Sequence, residues 1–396
     1  MSQHLMETYQ RLPISFAKGK GSYLFDEEGN RYLDSLAGIS VCNLGHAHPH
    51  IQKEVSDQLG TLLHTSNIYH IPLQQQLADR LCELSSMDRV FFGNSGAEAN
   101  EAAIKIARLY GHQQGIDAPE LIVMDSSFHG RTMATLSATG NRKVRAGFEP
   151  LLKGFARAPY GQIDALRTLA ANSPNIVGIL VEPIQGEGGV NVPPADYLDQ
   201  IRQLCDENNW LMMLDEIQTG MGRTGKLFAF QHSDSLPDVM TLAKALGNGV
   251  PIGACLARGK AAEVLSPGTH GSTFGGNPLA SRAALAVLDL FERDQVVEQC
   301  AATGKVMRDA FEEKLKDQPL VASIRGKGLM IGIELTQDCP ELVALALKKH
   351  LLINVAAGNT IRLLPPLNIT SKEANQIVTD VCSLIEELAQ VTQDIA

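Results

Sequence analysis

Short apolar runs alternate with longer helical patterns between residues 89 and 257, and this alternation constrains the fold more than any other feature. Most of these runs are continuously apolar, which is typical of strands buried on both faces. They are RVFFG at 89, ELIVMD at 120, IVGILVEP at 176, WLMMLDE at 210, DVMTLA at 238 and GACLA at 253. Between the first two, residues 97–110 place alanine and isoleucine on one helical face. The pattern predicts an α/β fold whose large domain is a mostly parallel sheet covered by helices.

The pattern changes on both sides of this region, so we expect further structural units. After about residue 290, helical patterns at 296–315 and 371–391 surround the short strands LMIGIEL, LLINVA and TIRLLP, which indicates a smaller α+β domain. Near the N-terminus, GSYLFDEEGNRYLDSLAG has strand, turn and strand signals and is predicted to pack with that later domain. We therefore divide the chain into an N-terminal segment (1–48), a large domain (49–285) and a small domain (286–396). A chain of 396 residues is long enough for this division, since single hydrophobic cores seldom extend beyond about 250–300 residues.

The charge balance excludes some classes of partner. There are 34 Lys and Arg against 44 Asp and Glu, a formal net charge of −10. Nucleic acid is disfavoured, because phosphate contacts need clustered basic side chains. We expect small-molecule substrates instead.

Targeting and metal-binding signals are also lacking in the sequence. No basic segment leads into an apolar one at the N-terminus, and no apolar stretch approaches about 18 residues. Seven cysteines are scattered without a CxxC motif or a Cys/His cluster. These features predict a cytoplasmic protein with reduced thiols, no metal site and no contact with a membrane.

Three of the predicted strands end in residues that can do chemistry, and ligands of open α/β sheets bind at these ends. After RVFFG, Ser95 and Gly96 open a helix, either as an ordinary cap or as an anion site at its positive end. After WLMML comes Asp215, which is either a turn residue or a functional carboxylate. After DVMTLA comes Lys244 in otherwise apolar surroundings. Its head either reaches solvent or is desolvated, and desolvation favours the neutral, nucleophilic amine.

Two glycine-rich stretches resemble nucleotide-binding motifs but lack the necessary context. GMGRTG, at 220–225, satisfies GxGxxG, yet DEIQT separates it from the strand and no helical run follows it. We interpret it as a flexible surface loop. GNSGAEAN lacks the Lys-Ser/Thr ending of a P-loop.

One cofactor requires an anion site at a helix start, a carboxylate and a desolvated lysine together. Pyridoxal phosphate binds a lysine as a Schiff base, pairs its protonated ring nitrogen with a carboxylate and places its phosphate at a helix N-terminus. The combination of Ser95, Asp215 and Lys244 is much more specific than any one of them.

Ordered motifs along nearly the whole chain support this interpretation. They are GHAHP, GNSGAEANEAAIKIAR, FHGRT, VEPIQGEGGV, LDEIQTGMGRTG, LAKALGNGVPIGA, HGSTFGGNP and IRLLPPL. With them the sequence resembles the class III aminotransferases of fold type I, in the group that contains acetylornithine and ornithine aminotransferases. The resemblance implies pyridoxal 5′-phosphate as cofactor and a homodimer whose active site is shared across the interface.

The resemblance also assigns roles to residues of the cofactor site. Lys244 would carry the cofactor and move the proton at the substrate carbon, and Asp215 would hold the pyridinium. Gln218 would bond the ring hydroxyl, and Phe128 would stack on the ring. The phosphate would be held by Ser95, Gly96, Ala97 and, from the partner subunit, Thr273.

Substrate recognition is implied by two arginines, because both substrates carry carboxylates and a guanidinium binds a carboxylate through two hydrogen bonds. Arg131 matches the family's residue for the carboxylate of the amino donor, and Arg362 matches the residue for 2-oxoglutarate or glutamate. Glu187 matches the switch residue that pairs with Arg362 when the donor has no carboxylate beside its reacting carbon. Tyr9 and Ser272 are further candidates for contact with the donor.

The choice of donor depends on one apolar residue. Ornithine aminotransferases have a tyrosine where this chain has Ile39, which can neither donate nor accept a hydrogen bond. We therefore expect an acylated donor, N-acetylornithine, on the arginine route. The alternatives are succinylornithine or succinyldiaminopimelate, then ornithine or GABA, then a 2,1-aminomutase or a non-catalytic cofactor-binding protein.

Overall fold

The structure, a computed structural model, describes residues 4–395 and the side chains of residues 4–390. The strands within this part are β1 (Phe16–Lys20), β2 (Tyr23–Asp26), β3 (Arg31–Asp34), β4 (Arg89–Gly93), β5 (Glu120–Met124), β6 (Phe155–Ala158), β7 (Ile176–Val181), β8 (Leu211–Asp215), β9 (Val239–Leu242), β10 (Gly253–Ala257), β11 (Val321–Lys327), β12 (Met330–Leu335), β13 (Leu351–Leu352), β14 (Asn354–Ala356) and β15 (Thr360–Leu363). The helical segments are α1 (Ala37–Ser40), α2 (Pro49–Leu59), α3 (Pro72–Ser85), α4 (Gly96–Gln113), α5 (Met133–Ala138), α6 (Arg142–Arg145), α7 (Ile163–Asn172), α8 (Tyr197–Asn208), α9 (Pro278–Arg293), α10 (Val296–Leu315), α11 (Glu341–Lys348) and α12 (Ser371–Ile395).

The largest sheet has seven strands in the order β4-β10-β9-β8-β7-β5-β6. Neighbours from β9 to β6 run parallel, and β10 is antiparallel to both β9 and β4. The prediction of a mostly parallel sheet is therefore confirmed, and all six expected strands are present. The sequence patterns missed β6, a four-residue edge strand whose side chains are mostly half-buried, so it lacks a continuous apolar run.

Two smaller four-stranded sheets, β1-β2-β3-β13 and β11-β12-β15-β14, stand beside the large one. The run LLINVA, expected as one strand, is divided between them: β13 joins β3 in parallel, and β14 joins β15 antiparallel. The N-terminal hairpin thus pairs with a strand from the last quarter of the chain. The division at residues 48 and 285 stays a prediction.

Helix α4 covers the large sheet and begins one residue before the predicted start. Its inward face is made of small side chains, including Ala99, Ala103 and Ala107, none of which is exposed. Small side chains let the helix axis approach the sheet closely. The Ser95 hydroxyl accepts a hydrogen bond from Glu98 N at 3.2 Å and caps the helix.

The segment GMGRTG is not a surface loop, so that prediction was wrong. Gly220 to Thr224 are buried, and the Arg223 side chain is wholly enclosed. Its guanidinium donates to Ser40 Oγ (2.9 Å), Leu329 O (2.9 Å) and Pro365 O (2.7 Å), and to Asn43 Oδ1. Glycine-rich composition is typical of exposed loops, but here the missing Cβ atoms permit close packing around a buried cation.

The short segment α1 is a left-handed turn. Its four residues all have positive φ, between 49° and 66°, a conformation that costs about 1–2 kcal/mol per non-glycine residue. Asp34 Oδ1 accepts from Leu36 N (2.9 Å) and Ala37 N (2.8 Å), and Arg223 holds Ser40. These contacts hold the turn where Val41 reaches the wall of the main cavity.

Candidate active site

A cavity of about 460 Å³ lies at the carboxyl ends of the parallel strands. Its wall is formed by segments that directly follow β4, β5, β7, β8 and β9, the position at which ligands of open α/β sheets bind. Nine of the residues predicted for the site line it: Ser95, Gly96, Ala97, Phe128, Arg131, Glu187, Asp215, Gln218 and Lys244.

The N-terminus of α4 opens into this cavity. The first N–H groups of an α-helix have no intrahelical acceptor, and those of Gly96 and Ala97 belong to residues of the cavity wall. A Cβ on Gly96 would lie 2.7 Å from the Ile217 side chain, so any other residue would require that side chain to shift. Ser95 is an ordinary cap, and the same helix start can also bind an anion.

Asp215 is fixed by a buried hydrogen-bond network. Its Oδ2 atom accepts from Asn100 Nδ2 and from the His129 ring Nδ1, both at 2.8 Å, and its Oδ1 atom accepts from Ile217 N at 3.1 Å. Thr241 Oγ1 in turn donates to Asn100 Oδ1 at 2.8 Å. A carboxylate has about four lone-pair positions, so the network orients Asp215 and leaves acceptor capacity for a ligand.

His129 and Asn100 are functional candidates that the sequence arguments missed. Both are buried, and His129 Nε2 has no partner within the described residues. His129 stands inside the motif FHGRT, and Asn100 lies one helical turn after Gly96, so a signal was present in the sequence. Assigning their contact with Asp215 required the tertiary structure.

Glu182 is a second buried carboxyl at the cavity, directly after β7. It accepts hydrogen bonds from Phe128 N (2.9 Å) and Gly186 N (3.2 Å). Burial raises the pKa of Glu182 to about 7; the Asp215 charge adds to this effect, while His129 and the hydrogen bonds oppose it. The strand-end argument that found Asp215 would also have found Glu182.

Lys244 is half-buried, with its flanking residues Ala243 and Ala245 buried. Burial lowers the pKa of its amine, and Arg362 acts in the same direction, while Glu187, Asp215 and Glu182 oppose the shift. The expectation of a desolvated lysine at this strand end therefore agrees with its surroundings. Its backbone has a φ of 43°, an uncommon conformation for a non-glycine residue.

Arg362 and Glu187 form an ion pair beside the cavity. Arg362 is 1% exposed, and its Nη1 and Nη2 atoms lie 2.6 and 3.3 Å from the two carboxylate oxygens of Glu187. Burial would raise the pKa of Glu187, but the charge and hydrogen bonds of Arg362, with smaller contributions from Lys244 and Gln218, together outweigh burial and lower it. Gln218 contacts both, 3.4 Å from Arg362 Nη1 and 3.5 Å from Glu187 Oε1.

Arg131 is exposed and lines the cavity, with its guanidinium carbon 5.7 Å from the centre of the Phe128 ring. This is within the range of a cation–π contact. Its donors are therefore accessible to a carboxylate entering from solvent.

The structure does not bring every predicted residue to the cavity. Ser272 is adjacent, since its Oγ atom accepts from Asn94 Nδ2 at 3.2 Å, and Asn94 lines the cavity. Thr273 and Tyr9 are exposed and lie outside it. Ile39 packs against the cluster of Ile184, Val190, Met330 and Leu364 and is not part of the wall.

Residues 4–395 contain neither a metal-binding cluster nor a membrane-spanning helix. No group of three or more His, Cys, Asp or Glu in that part could hold a metal ion. No helix there is long and apolar enough to cross a membrane.

Comparisons with known proteins give one family. The model of the family "Aminotransferase class-III" matches residues 5–385. The acetylornithine aminotransferase of Nitrosomonas europaea is 59% identical over 382 residues, which cover 96% of this chain and 97% of the relative. Acetylornithine aminotransferase 1 of Bordetella pertussis is 50% identical over 98% of this chain and 100% of its own length.

Solved structures agree with the sequence comparison. Ornithine aminotransferase from Toxoplasma gondii ME49 superposes with a TM-score of 0.94 at 35% identity, covering 98% of this chain and 94% of that one. Acetylornithine aminotransferase from Elizabethkingia anophelis gives a TM-score of 0.87 at 36% identity, covering 97% and 96%.

Proposed function

The chain belongs to the class III aminotransferases, and on that premise we propose that it transfers the δ-amino group of N2-acetyl-L-ornithine to 2-oxoglutarate. The products are N-acetyl-L-glutamate 5-semialdehyde and L-glutamate, in a step of arginine biosynthesis. The fold is that of the fold type I transferases, which depend on pyridoxal phosphate. Relatives named acetylornithine aminotransferase, at 46–59% identity over nearly the whole chain, support this choice of donor.

The residues around the cavity fit pyridoxal 5′-phosphate. The amine of Lys244, the carboxylate of Asp215 and the N-terminus of α4 line one cavity, and a helix N-terminus is suited to bind a phosphate. When bound, this cofactor supplies an electron-withdrawing ring that stabilises negative charge on the carbon bearing the substrate amine.

Each residue of the cofactor site has a role in this proposal. Ser95, Gly96 and Ala97 would hold the phosphate, Asp215 would pair with the ring nitrogen, Gln218 would bond the ring hydroxyl and Phe128 would cover one ring face. Lys244 would attach the cofactor and would move a proton at the substrate carbon that carries the reacting amine. Its lowered pKa favours the neutral amine, which is the form able to accept that proton.

The Arg362–Glu187 ion pair is the single observation that carries the proposal. The reacting carbon of N-acetylornithine has no carboxylate beside it, whereas that of glutamate has one. Arg362 is buried, and leaving it unpaired with the first substrate would be costly. Glu187 neutralises Arg362 in that half-reaction and leaves it to the substrate carboxylate in the other, while Arg131 binds the donor carboxylate.

The remaining parts of the proposal concern the assembly. We infer a homodimer in which Thr273 completes the phosphate site of the partner subunit, which accounts for its exposed position outside its own cavity. Tyr9 and Ser272 are proposed to contact the donor. The domain division (1–48, 49–285, 286–396) and a cytoplasmic location belong to the same proposal.

A half-reaction screen tests the proposed function. The absorbance of the bound cofactor is followed after single additions of N-acetylornithine, N-succinylornithine, ornithine and GABA, each without an acceptor. We expect N-acetylornithine to react with the highest second-order rate constant, and added 2-oxoglutarate to restore the spectrum with equimolar glutamate. Fastest reaction with ornithine would contradict the proposed donor, and product formation without glutamate would indicate an aminomutase.

A further inference from the structure

The backbone register places a neutral side chain directly opposite the arginine that binds 2-oxoglutarate. Strands β14 and β15 pair antiparallel, and Asn354 lies across from Arg362. Directly opposed residues on neighbouring antiparallel strands have Cβ atoms about 4.5–5.5 Å apart. On the other side of β15 the residue opposite Arg362 is Gly332, which has no side chain to offer. The sheet therefore gives Arg362 one cross-strand side-chain partner, Asn354.

The hydrogen bonds divide the guanidinium into two edges. Asn354 Oδ1 accepts from Nε at 3.2 Å and from Nη2 at 2.7 Å, on one edge of the group. Glu187 accepts from Nη1 and Nη2 on the end facing the cavity, and Gln218 Oε1 takes the second Nη1 donor. All five N–H donors thus have an acceptor. The oxygen of Asn354 must be the atom that faces Arg362, because arginine only donates.

The charge of these partners decides what Arg362 can bind. Glu187 is the one carboxylate among its hydrogen-bond partners in the described chain, and the other two are amides. When Glu187 is displaced, Asn354 still holds the Nε edge but does not neutralise the cation. Arg362 then keeps both its position and its full charge for an incoming carboxylate. An aspartate at residue 354 would make similar contacts but would compete with that carboxylate.

We propose that Asn354 is a specificity-determining residue that holds Arg362 with a neutral oxygen, so that only Glu187 and the substrate carboxylate exchange on its free edge. The inference rests on the proposed function, since it concerns how the same site accepts glutamate and 2-oxoglutarate. It assigns Asn354 to one half-reaction only. The donor half-reaction, in which Glu187 stays paired with Arg362, does not need a neutral residue at 354.

The test compares Asn354→Asp, Asn354→Ala and the wild-type holoenzyme in the two half-reactions separately. For Asn354→Asp we expect the glutamate concentration at half-maximal single-turnover rate to rise by about tenfold to a hundredfold, the effect of weakening one charge-assisted interaction. We expect the corresponding concentration of N-acetylornithine to change by less than about threefold, because Glu187 stays paired with Arg362 in that half-reaction. Asn354→Ala removes the hydrogen bonds that hold Arg362 but adds no negative charge. The binding of glutamate should therefore weaken less in Asn354→Ala than in Asn354→Asp.

A binding measurement and a control separate this effect from damage to the fold. Glutarate, a dicarboxylate with no amine or carbonyl, is titrated calorimetrically into each holoenzyme, and its affinity should fall in parallel with that for glutamate. Asn172→Asp makes the same charge change at the exposed last residue of α7, outside the cavity, and should alter the half-reaction of neither substrate.

The outcomes distinguish the two proposals. If the wild type reacts with glutamate but not with N-acetylornithine, the proposed donor is wrong, and a loss of glutarate binding in Asn354→Asp still supports the inference. If Asn354→Asp binds glutarate and glutamate as tightly as the wild type, the inference is overturned while the proposed function stands. An equal rise in the half-maximal concentrations of glutamate and N-acetylornithine would also overturn it, since a purely structural role of Asn354 would affect both substrates equally.

Discussion

Glu187 and its arginine show how much a single residue depends on its neighbours. The carboxylate is ionised because Arg362 lowers its pKa against the effect of burial, and its charge in turn opposes the lowering of the pKa of Lys244. One side chain therefore influences both the carboxylate-binding group and the amine. Replacing it should affect the two half-reactions unequally.

For Glu187→Gln we expect a loss in the donor half-reaction. Arg362 would be left without a counter-charge when N-acetylornithine binds, and an unpaired buried charge costs about 2–5 kcal/mol. The single-turnover rate with N-acetylornithine should fall at least tenfold, the rate with glutamate much less, and cofactor content should stay that of the wild type. Stopped-flow absorbance with each donor measures this, and unchanged rates with both would refute the switch role of Glu187.

His46 provides a prediction about pH. Burial lowers its pKa, but the hydrogen bonds and the charges of Asp34 (2.7 Å away) and Cys42 together outweigh burial and raise it from 6.5 to about 9. The folded state then binds the proton more tightly than the unfolded state, so the stabilisation is complete below pH 6.5 and is lost as pH rises through about 9. His46→Gln should lose about 1.5–3 kcal/mol at pH 6, the contribution of a charge-assisted hydrogen bond.

The loss in His46→Gln should shrink between pH 6.5 and about 9, over the interval in which wild-type His46 gives up its proton. Thermal unfolding of the holoenzyme at several pH values in this range measures it. His112→Gln removes an exposed histidine and serves as the control. A pH-independent difference for His46→Gln would mean that the ion pair does not titrate in this range.

At the scale of elements, the position of α4 depends on a close backbone contact. A Cβ on Gly253 would lie 2.2 Å from the carbonyl oxygen of Ser95, so β10 approaches the helix start more closely than any other residue would allow. Gly253 also pairs with Gly93, the last residue of β4. The contact between β10 and Ser95 therefore fixes the start of α4 relative to the end of β4.

Gly253→Ala should move the helix start and weaken phosphate binding. Overpacking typically costs about 1–3 kcal/mol, and here the clash is with backbone atoms that cannot rotate away. We expect a lower melting temperature and at least a tenfold higher dissociation constant for pyridoxal phosphate, measured by fluorescence titration of the apoenzyme. Gly60→Ala, whose Cβ would meet its nearest atom at 3.6 Å, should behave like the wild type. Wild-type affinity in Gly253→Ala would show that the helix start tolerates displacement.

At the scale of the whole molecule, Arg223 connects distant parts of the chain. It bonds Ser40 and Asn43 near the N-terminus and the backbone of Leu329 and Pro365 in the last fifth. Burial lowers its pKa to about 10. No carboxylate shares these hydrogen bonds in the described chain, so the acceptors around the buried guanidinium are all neutral.

Arg223→Met should be among the most destabilising single substitutions in the chain. It leaves several buried acceptors unpaired, at about 1–3 kcal/mol each, and releases the strained turn α1. We expect a lower melting temperature and faster proteolysis of the N-terminal segment, followed by mass spectrometry. Arg223→Lys retains the charge and should recover part of the loss. Wild-type protease resistance in Arg223→Met would show that the turn is held by other contacts.

The proposed sharing of the active site between two subunits leads to a prediction about mixed dimers. Lys244→Ala removes the reacting amine, and Thr273→Asp places a negative charge against the phosphate, so each variant alone should be inactive. Subunits exchanged between the two should form hybrids with one intact site, because each chain supplies what the other lacks. Recovered activity after refolding the mixture supports the shared site, and a mixture as inactive as its parents would refute it.

The sequence by itself determined the classes of element and the chemistry. Short continuous apolar runs that alternate with helical patterns are typical of strands buried on both faces, so the parallel sheet, and with it the meeting of Ser95, Asp215 and Lys244 at one edge, was predicted from local patterns. Helices α4, α10 and α12 followed from their periodicity in the same way. The weakly patterned β6 did not, since half-buried edge strands carry no such signal.

Only the tertiary structure decided which distant residues touch. It buried GMGRTG around Arg223, divided LLINVA between two sheets, placed His129 and Asn100 on Asp215, and set Asn354 against Arg362. It also packed Ile39, which the sequence argument had treated as unable to form a hydrogen bond with the donor, against a cluster outside the cavity wall. Hydrophobic periodicity reports how each residue relates to its own element, whereas these contacts arise from packing between elements far apart in the chain, which no local pattern contains.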